Sequence, residues 1–204
     1  MSRLLLCLGF LLGYPVLASS HELPDGEIER RVQISVKPDC VLVEYTLTMG
    51  EATLEKELRK NGHEPTGELS DKWKQYQDLI LPMLGKNTLV TMDGATRTVR
   101  PIRATYSGWS HGHLACLLIA DVSLTKKQKT IVVTDRNFLD VPGEYRIALK
   151  GRSGAILEKS STPLLVSRAD PVDLAKLTKA QKQAATRAMG EFVLSDRENA
   201  ASQE

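Results

Sequence analysis

The residues with the clearest capacity for chemistry are three histidines, His21, His111 and His113. His111 and His113 are two positions apart, and residues at i and i+2 of an extended backbone point to the same side. The intervening Gly112 allows the backbone to bend, so both rings can approach one ion. Imidazole and amine nitrogens suit Cu(II), Ni(II), Co(II) or Zn(II), and we expect these histidines to form a transition-metal site. The alternative is an exposed polar loop that binds no metal.

His21 can join such a site only if the chain is exported and cleaved nearby. Residues 1–20 have the features of a secretory signal, with a positive charge at Arg3, a long apolar stretch and small residues at the end. Cleavage after Ser20 would free the α-amino nitrogen of His21 as a further ligand, whereas cleavage after Ala18 would not. We expect the mature product to be extracytoplasmic, either periplasmic or secreted.

Composition narrows the range of partners. Of the 27 Lys and Arg residues only Arg3 lies in the signal, so the mature chain carries 26 basic and 25 acidic residues. These charges are interleaved, and without a basic block we do not expect nucleic acid as a partner. The longest later apolar run, Leu114–Ala120, is shorter than the ~20 residues that span a bilayer, so we expect no transmembrane segment in the mature chain.

Sequence patterns of common enzymes do not fit this chain. His21 and His63 are each followed by Glu but lack the second histidine of a zinc-protease helix, and residues 151–154 do not have the spacing of a nucleophile elbow. Cys116 lies inside an apolar run, where a thiolate would be poorly stabilised. We therefore assign no catalytic residue and expect a non-enzymatic protein. His63 is interpreted as a solvated surface histidine.

The mature chain has two cysteines, Cys40 and Cys116. In an oxidising compartment they can form one disulfide, which would stabilise the fold by about 3 to 4 kcal/mol in the chain-entropy model. Two buried thiols, behaving as small hydrophobic side chains, are the alternative. The spacing does not decide between them.

Alternation of apolar and polar residues predicts a mainly β fold. Residues 28–36 and 41–49 alternate on either side of a Lys37-Pro38-Asp39 turn, which indicates a hairpin with one apolar face. Asp93-Gly94 is a strong signal for a second hairpin. Leu114–Val122 is apolar at both parities, which favours a central strand that is covered on both faces. Further strands are predicted at Thr130–Thr134, Glu144–Leu149, Ala155–Lys159 and Pro163–Val166.

Helical spacing is found in three places. Glu51–Lys60 is rich in helix formers, Ser70 to Gly85 carries an apolar stripe, and a helix that begins at Thr178 is predicted to present a stripe ending at Phe192. The expected fold is an antiparallel Ig-like β-sandwich with two short helices in the first half and a C-terminal helix. We divide the chain into a signal peptide (1–20), a β-sandwich domain (21–168), and a C-terminal helix with a disordered tail (169–204).

Three segments resemble a known family. They are the start at His21-Glu-Leu-Pro-Asp-Gly, the hairpin around Lys37-Pro38-Asp39, and Thr134-Asp-Arg-Asn-Phe138 followed by Gly143-Glu-Tyr-Arg-Ile. Together they resemble the extracytoplasmic N-terminal domain of bacterial nickel/cobalt-transporter-like membrane proteins. In the family this domain is followed by membrane helices that carry transport, whereas here a polar tail follows, so we do not infer transport from the resemblance. His111 and His113 stand where the family is typically glycine-rich, so they are not carried over from a family motif.

Two functions follow from this sequence. In the first, the chain is an exported, non-enzymatic module that binds a transition metal next to a membrane transporter, with His21, His111 and His113 as ligands. In the second, it is a protein-interaction domain without metal that docks another envelope protein. Asp135, Arg136 and Asn137 match the family pattern, but we interpret them as structural, because Asp and Asn side chains bond backbone groups at strand ends.

Overall fold

The computed structural model describes residues 23–107, 112–161 and 171–195. The predicted signal, both candidate cleavage sites, His21, His111 and the strand predicted at Pro163–Val166 lie outside these residues. The described chain is mainly β, with two sheets and three α-helices.

Six strands form the first sheet: β1 (Glu29–Val36), β2 (Cys40–Met49), β5 (Val99–Ser107), β6 (Gly112–Asp121), β8 (Glu144–Gly151) and β10 (Val172–Asp173). Their order across the sheet is β10-β8-β1-β2-β6-β5. The expectation of a purely antiparallel fold is wrong at one place, because β1 and β8 run parallel. This pairing brings together the first hairpin and a strand more than a hundred residues later.

Five strands form the second sheet: β3 (Thr88–Met92), β4 (Ala95–Arg97), β7 (Lys129–Asp135), β9 (Ala155–Ser160) and β11 (Arg187–Leu194). Their order is β4-β3-β7-β11-β9, and all the pairs are antiparallel. The predicted Asp93-Gly94 hairpin joins β3 to β4, and both turn residues have positive φ (50° and 81°), as this turn type requires. The single strand expected over Ala95–Thr105 is divided, because β4 and β5 belong to different sheets.

The α-helices are α1 (Glu51–Lys60), α2 (Leu69–Asn87) and α3 (Lys179–Ala185). The helix α2 is longer at both ends than the Ser70-to-Gly85 expectation, and Glu68 rather than Ser70 caps it. Helix α3 begins after Thr178 as predicted, since the Thr178 side chain accepts a hydrogen bond from the N–H of Gln181. No helix among residues 23–107, 112–161 and 171–195 is long and apolar enough to cross a membrane.

The prediction of a helix continuing to Phe192 is wrong. After α3 the chain enters β11, which lies between β7 and β9 in the second sheet. Phe192 and Ala188 are fully buried because both face the core from this strand. The tail therefore supplies an interior strand, and β10 likewise adds to the first sheet beyond residue 168. Tertiary pairing overrides the helical spacing of the alanines here.

One hydrophobic core is shared by both sheets and the first two helices. The first hairpin forms as predicted, with Val41, Val43, Tyr45, Leu47 and Met49 of β2 all facing inward and buried. Side chains of α1, α2 and the second sheet belong to the same cluster. The core therefore takes one face of the six-stranded sheet and leaves the other face outside.

The expectation that β6 is covered on both faces is wrong. Leu114, Cys116 and Leu118 point inward and are buried, but the alternate residues Ala115 and Leu117 are exposed or half-exposed on the outer face. Both side chains therefore keep part of their surface accessible to solvent. Every second side chain of this apolar run therefore fills the core, and the side chains between them line an open surface.

Gly112 provides a test of the packing between α2 and the first sheet. A Cβ built at Gly112 would lie 2.0 Å from Nε1 of Trp73, whose ring also stacks on Tyr106. We expect Gly112→Ala to lower the free energy of unfolding by about 1 to 3 kcal/mol, because the buried indole cannot move aside without strain. Gly50→Ala is the comparison variant, since its Cβ would meet only ordinary contacts, and the loss of glycine at the N-cap of α1 is expected to cost less than the clash at Gly112. Urea unfolding measures both, and equal midpoints would contradict the prediction.

Candidate functional site

Of the three histidines predicted to bind a metal, only His113 lies within the described residues. It is exposed on β6, and its Nδ1 lies 2.7 Å from Oγ1 of Thr48. Thr48 and His113 are register partners on β2 and β6, so the sheet itself fixes this contact. No group of three or more His, Cys, Asp or Glu residues in the described ranges is placed to hold a metal. The site formed with His21 and His111 stays a prediction.

The two cysteines are buried and free, as in the thiol alternative. Cys40 pairs with Asp121, whereas Cys116 pairs with Tyr45, so five positions and the two faces of the sheet separate them. Five residues correspond to about 17 Å of strand, which is too far for a disulfide. Burial raises the pKa of the Cys116 thiol to about 12. The thiol is thus protonated near neutral pH, which disfavours a nucleophilic role.

A buried polar cluster joins the two sheets. Oη of Tyr45 on β2 and Oγ1 of Thr88 on β3 are hydrogen-bonded at 2.7 Å. Asn137, just after β7, donates from its backbone N–H and from Nδ2 to Oδ1 of Asp135, at 2.9 and 2.8 Å. Its Nδ2 also lies 3.3 Å from the Tyr45 oxygen. These contacts support the structural interpretation of Asp135 and Asn137.

Asp135 is 1% exposed, and its environment changes its titration. Burial raises the pKa of this carboxyl above its usual value, because the charged form loses hydration. The hydrogen bonds from Asn137 and the tyrosine hydroxyls act in the opposite direction without cancelling it. The cluster is therefore a place where folding and protonation are linked.

Arg30 holds the loop between β7 and β8. Its guanidinium is buried and donates to the carbonyl of Phe138, to that of Val141 at 3.0 Å and to that of Gly143 at 3.1 Å. Phe138 has a φ of 52°, a strained conformation for a bulky residue. The three hydrogen bonds from one rigid side chain maintain this loop. Arg30 also lies 5.7 Å from the ring centroid of Tyr145, so the loop and β8 share one support.

An open depression of about 720 Å³ lies on the outer face of the six-stranded sheet. We call this surface the arginine face, and it consists chiefly of Arg31, Thr46, Arg103, Ala115, Leu117 and Arg152. Its floor is formed by the residues of β2 and β6 that alternate with the buried ones and face outward. Its arginines come from β1, β5 and the turn after β8. None of these residues was predicted as a site from the sequence.

The strand register brings the face together. Arg31 pairs with Thr46, which pairs with Ala115 on the next strand. One step further along, Arg103 of β5 pairs with Leu117. Strands β1 and β5 lie three spacings apart, or about 14 Å, so arginines at the two sides can both extend over the apolar floor.

The arginines of this face are not neutralised by the described part of the chain. Arg31, Arg103 and Arg152 form no ion pair and no side-chain hydrogen bond with the described residues. Arg100 at the rim differs, since it holds Asp121 through two contacts of 2.8 and 2.9 Å. One carboxylate, Glu44, also lines the depression and accepts a hydrogen bond from Gln33 at 3.3 Å.

Strand pairing adds to the positive charge. Arg31 is the register partner of Arg146 on the parallel strand β8, so two like charges are neighbours on one face. Like charges directly opposite each other destabilise a sheet. Arg146 has Glu144 at 3.4 Å, but Arg31 has no such partner among the residues that the structure describes. A bound carboxylate would remove this repulsion, and the guanidinium fork suits two-point contact with it.

A smaller depression of about 270 Å³ lies between α1 and the loop that Arg30 holds. Its charges are mostly satisfied internally, since Lys60 pairs with Glu57 at 3.3 Å and Asp140 pairs with Lys182 at 2.5 Å. The arginine face is therefore the stronger candidate site.

The sequence carried a partial signal for the arginine face. Arg31 and Glu44 lie on the polar face of a hairpin whose other face is regularly apolar. In β6 the residues on both faces are apolar. Neither observation places Arg103 or Arg152 beside them, because those residues come from distant segments. Only the sheet order shows that the four positions share one surface.

The linkage at Asp135 gives a test of the buried cluster. Because its pKa is raised in the folded state, the folded protein keeps this proton at pH values where the unfolded chain has lost it. The contribution of Asp135 to the free energy of unfolding therefore decreases as pH rises from about 4 through the raised pKa. We expect Asp135→Asn to flatten the dependence of the free energy of unfolding on pH above about pH 4, measured by urea titration. Asp78→Asn, at an exposed position, is the control; if both variants keep the parent slope, the assignment is wrong.

Comparison with known proteins found no matching family model and no matching curated protein. The resemblance to the extracytoplasmic domain of nickel/cobalt-transporter-like proteins therefore rests on the three short segments quoted above.

Proposed function

We propose that this chain is an exported, non-enzymatic, Ig-like β-sandwich module that binds an acidic polypeptide segment of another envelope protein through its arginine face. The observation that carries the proposal is a set of three exposed arginines, Arg31, Arg103 and Arg152, beside an exposed apolar floor. Within residues 23–107, 112–161 and 171–195 these arginines have no ion-pair partner. This is the protein-interaction function expected as an alternative from the sequence.

The composition of the face favours a polypeptide over a small inorganic anion. Ala115 and Leu117 give the floor an apolar area that an inorganic anion would not use, but that aliphatic side chains would cover. The arginines are spread across about 14 Å of sheet, which suits several carboxylates along one segment. Glu44, the one carboxylate in the lining, allows a basic residue among the acidic ones of the partner segment.

Export and the family resemblance support an envelope partner. The signal features of residues 1–20 direct the chain out of the cytoplasm. In the family that this chain resembles, the corresponding domain is joined to membrane helices. We therefore propose a separately encoded membrane transporter as the partner. The raised pKa of Cys116 agrees with a non-catalytic role for the one nucleophile considered.

Metal binding is retained as a second candidate because of one contact. The hydrogen bond between Thr48 and Nδ1 of His113 fixes the orientation of the ring and leaves Nε2 as the coordinating nitrogen. His111 precedes it by two positions, and the mature N-terminus at His21 would add further nitrogen ligands. In this proposal the ion is Cu, Ni, Co or Zn, delivered to or taken from a transporter.

Poly-L-glutamate is a direct probe of the arginine face. We expect the secreted protein to bind immobilised poly-L-glutamate at low salt, and the double variant Arg31→Glu, Arg103→Glu to bind at least about tenfold more weakly, a loss of about 1.4 kcal/mol. Binding of the parent should weaken as ionic strength rises from about 0.01 to 0.15 M, because the Debye length falls from about 30 to 8 Å.

The matched control is Arg136→Glu with Arg187→Glu. Both residues are exposed, they lie in or next to the second sheet, and their replacement changes net charge by the same amount. Equal loss of binding in the two double variants would mean that net charge alone attracts the polymer, and the docking face would be rejected.

Titration with Cu(II) and Ni(II) tests the second candidate. We expect saturable binding by the secreted protein, a loss of affinity in His113→Ala and in His111→Ala, and a decrease of about 10- to 100-fold in Thr48→Val, whose only lost contact is that with Nδ1. The control is His63→Ala. Isothermal calorimetry gives the affinities, and a parent protein that shows no saturable binding would end the metal hypothesis.

A further inference from the structure

We infer that residues 196–204 of this same chain bind to the arginine face and compete there with the acidic partner. This inference rests on the proposed function, because it concerns the regulation of the same surface. It is argued from the place where the described chain ends, from the charge of the segment, and from its reach.

The described chain ends beside the arginine face. The N–H of Ser195 donates to the carbonyl of Gly154 at 2.7 Å, and Gly154 belongs to the tight turn that joins β8 to β9. Arg152 is two residues away in that turn, and its backbone N–H donates to the carbonyl of Val36 at 2.8 Å. Residue 196 thus follows directly from a point held within one turn of an arginine that lines the face.

The segment has the opposite charge to the face. Residues 196–204 contain Asp196, Glu198 and Glu204 against one basic residue, Arg197. The remaining side chains are small or neutral, which suits a shallow open surface. Arg197 is compatible with the one carboxylate of the depression, Glu44, so both signs of charge find a complement.

The segment is long enough to cross the face. Nine residues extend for about 30 Å at most. From the position next to Val36, Arg31 lies five residues along β1, or about 17 Å, and the strand carrying Arg103 lies about 14 Å to the side. Both arginines are therefore within reach, and attachment at Ser195 gives the segment a high effective concentration at the face.

The experiment uses full-length secreted protein with three neutral substitutions, Asp196→Asn, Glu198→Gln and Glu204→Gln. The matched control carries Asp25→Asn, Glu64→Gln and Asp78→Asn, which change net charge equally at exposed positions away from the face. Poly-L-glutamate affinity is measured for the parent and both variants. We expect the tail variant to bind about threefold or more tightly than the control variant, because a tethered competitor has been weakened.

Backbone amide chemical shifts supply the second measurement. In the tail variant, shifts relative to the parent are expected at Ala115 and Leu117, whereas changes at Leu194, Ser195 and Arg152 follow from their proximity to residue 196 and do not count. If the two variants bind poly-L-glutamate equally and the face shows no shift changes, the cis interaction is wrong while the docking function stands. If neither parent nor any variant binds the polymer, the docking function is wrong, and the amide shifts alone then decide whether residues 196–204 contact the face.

Discussion

The structure depends on the alternation of side chains along β2. Burying Val41, Tyr45 and Leu47 on one side forces Glu44 and Thr46 to the other side, and no local adjustment can change this without moving every side chain of the strand. Because β2 lies at the centre of the six-stranded sheet, its neighbours must follow the same division. The core and the arginine face are therefore two consequences of a single register.

Two sets of buried polar interactions stabilise this arrangement. The cluster of Tyr45, Thr88, Asp135 and Asn137 connects the sheets through groups that must be hydrogen-bonded once they are buried. Arg30 secures the following loop by binding three carbonyl oxygens. The side-chain hydrogen bonds of the cluster lie in the interior, and those of Arg30 lie at the loop between β7 and β8, so neither set is formed on the outer face.

Buried and exposed arginines have different roles in this protein: the buried one stabilises the fold, and the exposed ones are candidates for binding. Arg30 and Arg31 are adjacent in sequence, but strand alternation places them on opposite faces of the sheet. Arg30 is buried and donates hydrogen bonds to three carbonyl oxygens, whereas Arg31 is on the outer face and has no such partner among the described residues. An exposed arginine costs little by itself, but Arg31 next to Arg146 adds repulsion, and of the two only Arg146 has an ion-pair partner, Glu144, in the described part of the chain. A ligand with carboxylates would relieve it, which is why this surface, rather than the histidines, has the stronger case as a binding site.

The sequence by itself determined the local elements. The turn at Lys37-Pro38-Asp39, the hairpin at Asp93-Gly94 and the parity of β2 follow from residue types within a few positions, because turn geometry and side-chain alternation are local properties. The β-rich class follows from the same patterns. In contrast, the stripe ending at Phe192 satisfies helical spacing and still forms β11, because pairing with β7 and β9 buries those side chains more completely.

Only the tertiary structure decided which faces are covered and which distant residues meet. An apolar run such as Leu114–Ala120 has the same composition whether it is covered on two faces or one, so its open floor could not be read from the sequence. Arg31, Arg103 and Arg152 come from three separate segments, and their proximity depends on strand order. Strand order is set by non-local pairing and by the shared core, and these long-range interactions leave no signature in the spacing of neighbouring residues.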